Sequence, residues 1–395
     1  MNTFIKKITA LMLCGFTVLF SFVNACADGD GEISEPVSVE AIESQSVSEY
    51  VCLYEATTGK IIAQKNGKNP FHMGHLAKLM TIYLTARQID SGEIELETEV
   101  VASPEANGQG GTQIWLDSGE RITVEELLKS ITIGNANDAC YALSEALFKT
   151  EDIYLKVANE TAVSLGMSNT HFADATGMND QSVTTAEDMA ILAGKITEFD
   201  YLERYFCTWI DYVRDEKTEL VNTNRLVRSY DGITGMKSCY DETSKNSVVA
   251  TAGRKGMNLV CVASGCEDAD LRFTDAKNLL DYGFSAYEIY TPEIPKKALE
   301  KIQVVNGSEK KAEVSPLEIT PVLVKRGVSS NITAVFERKE FVKAPVEKNT
   351  EIGEVRLVDG EGVVFETKLV VKENVPPMTV GLALKRLWLN LLNLG

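Results

Sequence analysis

The chain has 395 residues, of which 44% are hydrophobic and 24% charged, enough to bury a large core and form more than one domain. Its formal net charge is -18, which excludes a nucleic-acid binder and a broadly basic surface seeking anionic lipid, while solubility alone accounts for the acidity. The composition is that of a globular protein.

At the start, Lys6 and Lys7 precede an apolar stretch from Ile8 to Val23, followed by the small-x-small sequence Val23-Asn24-Ala25. Residues 1–25 therefore read as a secretory signal, and the protein is expected outside the cytoplasm. Cys26 raises lipoprotein processing as the alternative, although Asn24 suits that site poorly. Residues 26–46 are rich in Glu, Ser, Asp and Gly, cannot support a core, and read as a spacer. Beyond Cys26 the cysteines are Cys52, Cys140, Cys207, Cys239, Cys261 and Cys266. Their number permits disulfides, but Cys52, Cys140 and Cys261 lie in apolar runs and read as small core residues. No Cys-x-x-Cys or His pair offers a metal site, and no cofactor is implied.

Tyr50 to Tyr54 and Ile61 to Gln64 read as strands joined through Thr57-Thr58-Gly59-Lys60. A loop then enters a helix in which Leu76, Leu79, Met80, Tyr83 and Leu84 share an apolar face, with His75 and Lys78 one turn apart at its start. A lysine there costs several kcal/mol unless it is paired or sheds its proton. Gly108-Gln109-Gly110-Gly111 reads as a flexible loop. Thr123 and Glu126 form a capping box ahead of Leu127, Leu128 and Ile131, and Ala139, Ala142, Leu143, Ala146 and Leu147 mark a further helix, so Asn135-Ala136-Asn137 is expected to be pinned between the two. Gly235 to Tyr240, Asn246 to Ala252 and Met257 to Ser264 read as three more strands of the first sheet, and Asp270 to Asp281 as a closing helix. His171 lies between Thr170 and Phe172 and is assigned no chemistry.

Three short stretches of this chain resemble the signatures of the penicillin-binding D-alanyl-D-alanine carboxypeptidases, Ser-x-x-Lys, Ser-x-Asn and Lys-Thr-Gly. Here they read His75-Leu76-Ala77-Lys78, Asn135-Ala136-Asn137 and Lys237-Ser238-Cys239, and the run from Ala158 to Met178 resembles the family's helix and loop at that point. The resemblance implies an α/β fold over residues 47–288, with an antiparallel sheet and a helical cluster. It implies His75 at the nucleophile position, Lys78, Asn135 and Asn137 as the other catalytic positions, and Lys237, Ser238 and Cys239 as the substrate-binding strand. The implied partner is a peptidoglycan stem peptide ending in D-Ala-D-Ala. All three signatures are altered, so the expectation is a homologue of wall metabolism that has lost acylation and keeps at most peptide recognition or a regulatory role. The alternatives are a hydrolase using Cys239 as nucleophile with His75 as base, and an envelope interaction module with a vestigial groove.

Pro292 and Pro295 mark a boundary, and the valine-rich stretches of residues 292–375 read as a β-sandwich stalk. In residues 378–395, Thr379 caps a helix carrying Leu382, Leu384, Leu387, Trp388, Leu389 and Leu391, too short to span a bilayer and suited to lie on a membrane surface.

Overall fold

A computed structural model describes residues 45–392. The leader and the spacer up to Ser44 lie outside the described residues. Five strands form an antiparallel sheet: β1 (Tyr50–Glu55), β2 (Lys60–Lys65), β3 (Ile233–Asp241), β4 (Lys245–Arg254) and β5 (Met257–Cys266), in the order β2-β1-β5-β4-β3. The pairs β1–β2, β3–β4 and β4–β5 close as hairpins, and the first hairpin joins the last three strands through the β1–β5 pair. β4 is covered on both faces from Asn246 to Ala252, which explains why Val248, Val249 and Ala250 run together instead of alternating with polar residues.

Period-two alternation divides the sheet between two cores. Cys52, Val249, Val260 and Val262 face a helical cluster, whereas Leu53, Val248, Ala250 and Cys261 face the helix α6 described below. At the centre of the cluster is α1 (Lys78–Asp90), buried on every side from Lys78 to Ala86, so the single apolar face read from its sequence understates its burial. Around it stand α2 (Val124–Thr132), α3 (Asn137–Phe148), α4 (Glu151–Ser164) and α5 (Ala186–Ile196). The Thr123–Glu126 capping box is present: Thr123 Oγ1 accepts from the Glu126 N–H, and the Glu126 carboxylate accepts from the Thr123 N–H. On the other face of the sheet α6 (Leu271–Ala286) lays down Phe273, Ala276, Leu279 and Leu280.

Strand β6 (Tyr287–Tyr290) leaves α6 and pairs with Val322–Lys325, so a two-stranded ladder crosses the Pro292 boundary. The all-β region beyond it contains a four-stranded and a three-stranded sheet closed on Ile302, Ile352, Val355, Leu357, Leu369 and Val371. Last comes α7 (Val380–Leu391), capped by Thr379, with no buried residue and with Val380, Leu384, Leu387, Trp388 and Leu391 exposed. No helix among the described residues is long and apolar enough to cross a membrane. The six described cysteines are unpaired, five of them buried and Cys207 partly so.

Candidate active site

A single 3-10 turn, Gly74–Ala77, delivers the chain into α1 and presents His75. Its position is set by contact between two glycines with left-handed backbones, Gly74 (φ +50) and Gly177 (φ +78). A Cβ on Gly177 would lie 1.7 Å from the Gly74 carbonyl oxygen, so only glycine permits the approach. That approach sets the Thr176 carbonyl oxygen 3.0 Å from His75 Nδ1. A carbonyl only accepts, so Nδ1 carries the proton and Nε2 of the neutral ring is left as a bare acceptor. Burial, reinforced by the Lys78 charge, lowers the His75 pKa to about 4, and the ring is neutral at physiological pH.

Lys78 opens α1 and is wholly buried. Its ammonium donates to the Asn135 backbone oxygen at 2.6 Å and to the Asn135 side-chain oxygen at 3.1 Å. Asn135 offers both acceptors from a left-handed conformation (φ +57), which asparagine tolerates better than most residues. Burial, then repulsion from Lys237, lowers the Lys78 pKa to about 7, so a large fraction of the amine is unprotonated at neutral pH. Lys237, on β3, donates to the Ile131 carbonyl at 2.9 Å, and burial lowers its pKa to about 8.

The second motif is split by structure. Asn135 lies in the connection between α2 and α3, while Asn137 is the first residue of α3. The Asn137 amide donates to Gly110 O at 2.7 Å and approaches Met178 Sδ at 3.2 Å, and its backbone N–H donates to Thr112 O at 2.7 Å. The glycine-rich loop, read from sequence as flexible, is thus bonded to the motif. Among the described residues the Asn137 side-chain oxygen has no partner. In the third motif Lys237 and Cys239 share one face of β3 and Ser238 takes the other, fully buried with an Oγ that has no partner among the described residues. The Cys239 carbonyl accepts from Arg272 at 2.6 Å, and burial raises its thiol to about 11. No hydrogen bond joins it to His75. Among the described residues no cluster of three or more His, Cys, Asp or Glu could hold a metal.

Residues not singled out from sequence complete the site. Asp241 ends β3, two positions past Cys239 on the same face, and its carboxylate lies 3.4 Å from His72 Nδ1. Alternation along the strand carries the signal for Asp241. Thr176, Gly177 and Met178 sit inside a stretch whose family likeness was visible although their contacts were not.

One pH dependence follows from the buried lysines. Lys78 ionises near 10.5 in a solvated chain and near 7 here, so between these values the unfolded state binds more protons and stability rises with pH. Each fully shifted group adds up to about 1.4 kcal/mol per pH unit within that window. Urea midpoints should increase from pH 7 to pH 9, and Lys78→Met should remove a large part of the increase. An unchanged slope would contradict a buried amine of lowered pKa.

Comparison with known proteins gives the family and the fold. The sequence pattern of the D-alanyl-D-alanine carboxypeptidases matches residues 35–267, and that of the penicillin-binding protein 5 C-terminal domain matches residues 290–377. The chain belongs to the D-alanyl-D-alanine carboxypeptidase family. It is 31% identical over 375 residues to the D-alanyl-D-alanine carboxypeptidase DacF of Bacillus subtilis, covering 94% of this chain and 95% of that one. It is 27% identical to DacC of Escherichia coli over 85% of this chain and 86% of that one. The structure of penicillin-binding protein 5 from Haemophilus influenzae superposes with a TM-score of 0.76 at 22% identity, covering 84% of this chain and 98% of that one. The α/β penicillin-binding fold with its following β domain is therefore the architecture of this carboxypeptidase homologue.

Proposed function

We propose that this carboxypeptidase homologue acts in peptidoglycan metabolism by engaging stem peptides without acylating on them. The observation that carries the reading is His75, one turn from a proton acceptor of the expected kind, Lys78, with no hydroxyl to give it a proton. An imidazole has no alkoxide to offer, and an acyl-imidazole is labile where a serine ester persists. At the second motif Asn135 replaces a proton-relaying hydroxyl with a carboxamide whose oxygen is already held by Lys78. For recognition, β3 remains the outermost strand of its sheet, an edge along which an extended peptide can add.

The Cys239–His75 alternative finds no support: a thiol held near 11 and an imidazole held near 4 are a poor nucleophile and a weak base. The leader-like residues 1–25 support a place outside the cytoplasm, and the exposed apolar residues of α7, with Trp388 one turn past Lys385, support contact with a membrane surface, while Arg386 is turned onto the Ser308 carbonyl. The test is titration with D-alanyl-D-alanine peptides, free or amidated at the terminus, while free D-alanine is assayed. Saturable binding without D-alanine release is expected. Release of D-alanine would contradict the reading, and binding of neither form would leave only an interaction module with a vestigial groove.

A further inference from the structure

A cavity of about 510 Å³ lies where α6 hands the chain over to the β domain, a volume within the range of pockets that hold small organic molecules. Three segments wall it: the tight turn between β4 and β5, the end of α6 running into β6, and Arg326, which follows the strand paired with β6. Its Met257 and Phe284 belong to the core on the α6 face of the sheet, whereas Leu76 and Cys239, beside His75, belong to the core on the other face. The cavity is therefore separate from the groove.

Arg254, Lys255, Arg326 and Glu288 are the charged groups that line it. Arg254 is pinned, with its guanidinium 4.8 Å and 4.6 Å from the ring centroids of Tyr230 and Phe284 and donating to the Asp231 carbonyl at 2.7 Å. Asp281 stands 4.0 Å from it and also accepts from the Tyr230 hydroxyl at 2.9 Å. Arg326 donates to the carbonyls of Phe284, Ser285 and Tyr287, and its remaining nitrogen, Nη1, is 4.0 Å from Glu288. The Glu288 carboxylate accepts from the Ser329 hydroxyl at 2.7 Å. Lys255 differs from both arginines. It sits exposed in the β4–β5 turn on a left-handed backbone (φ +51), and its ammonium has no partner among the described residues. Each arginine faces one carboxylate, so the balance here is one positive charge, on a chain whose formal net charge is -18.

We propose that this cavity is a binding site for a small organic anion, a single carboxylate carried on an apolar ring or short chain. Met257, Phe284, Tyr287 and Ile289 supply the apolar wall, and the free ammonium of Lys255 takes the carboxylate, with Arg326 Nη1 as a second donor. Arg254 and Arg326 are held in place before any ligand arrives, so little side-chain freedom is lost on binding. Because α6, β6 and Arg326 all contribute to the wall, an occupant ties the first domain to the β domain. The site stands whatever the groove at His75 binds.

The experiment titrates the full chain by calorimetry at low ionic strength with indole-3-acetate and with its uncharged isostere, indole-3-acetamide. The acid should bind at one site with a Kd of about 1 mM or below, and the amide about ten-fold more weakly, because only the pairing with the ammonium is lost. Lys255→Met keeps an apolar stem in an exposed turn and removes the charge. It should bring the acid to the affinity of the amide and leave the amide unchanged. Lys60→Met, at the exposed start of β2, is the control and should change neither. Equal binding of acid and amide, no binding of the acid, acid binding indifferent to Lys255→Met, or an equal loss in Lys60→Met overturns the inference. None of these results bears on the stem-peptide reading.

Discussion

Restoring the three altered positions together, His75→Ser with Asn135→Ser and Cys239→Gly, should yield a protein that a β-lactam acylates, with His75→Ser alone reaching at most about a hundredth of the triple variant's rate. The parts that survive favour this outcome. Lys78 stands one turn from position 75 with a pKa near 7, poised to take a hydroxyl proton. The Gly74–Gly177 contact already holds the turn in place. A serine added alone would still face an Asn135 carboxamide that relays no proton, and Cys239, 5% exposed, would still crowd the strand along which a ligand lies. Members of one catalytic unit are strongly non-additive, so the last restoration should count most. Asn135→Ser gives up the left-handed preference of asparagine and Cys239→Gly loosens a strand, each costing about 1 kcal/mol of stability. Rapid acylation of His75→Ser alone would make the other two replacements neutral.

Gly177→Ala should produce the largest loss of stability from any single methyl group near the site. The added carbon meets the Gly74 carbonyl oxygen at 1.7 Å and the His75 nitrogen at 3.0 Å, both backbone atoms that cannot swing away. It also occupies a left-handed backbone, φ +78. Together these should cost about 3 kcal/mol or more, a fall in melting temperature of about 4 °C or more for a protein of this size. Gly166→Ala is the control, with a similar φ of +85 and nothing within 4 Å of the added carbon. It should lose only about 1 kcal/mol, the conformational part. Equal losses in the two variants would mean that the Gly74–Gly177 contact does not constrain the turn.

The five-strand sheet and its helices were legible because their residues carry the period of the element they form. Tyr50 to Tyr54, Met257 to Ser264 and the Thr123 capping box are local patterns, and local patterns survive without knowledge of the fold. The His75–Lys78 spacing was legible for the same reason. What escaped depends on contacts between distant segments. The bond from Thr176 to His75 spans 101 positions, and the ladder between β6 and Val322–Lys325 crosses a boundary that two prolines mark locally. Burial of α1 on all sides follows from being surrounded, which no single helix can reveal. Asp241 was passed over because the motif reading stopped at Cys239, although the same two-residue alternation would have carried it one step further.

Intact-mass spectrometry after incubation with a β-lactam separates a groove that keeps the carboxypeptidase shape without its serine nucleophile from one that still acylates. The wild-type protein should keep its unmodified mass at every incubation time, while the triple variant gains the mass of one β-lactam. A stable adduct on the wild type, at His75, Cys239 or any other residue of the groove, would contradict the account.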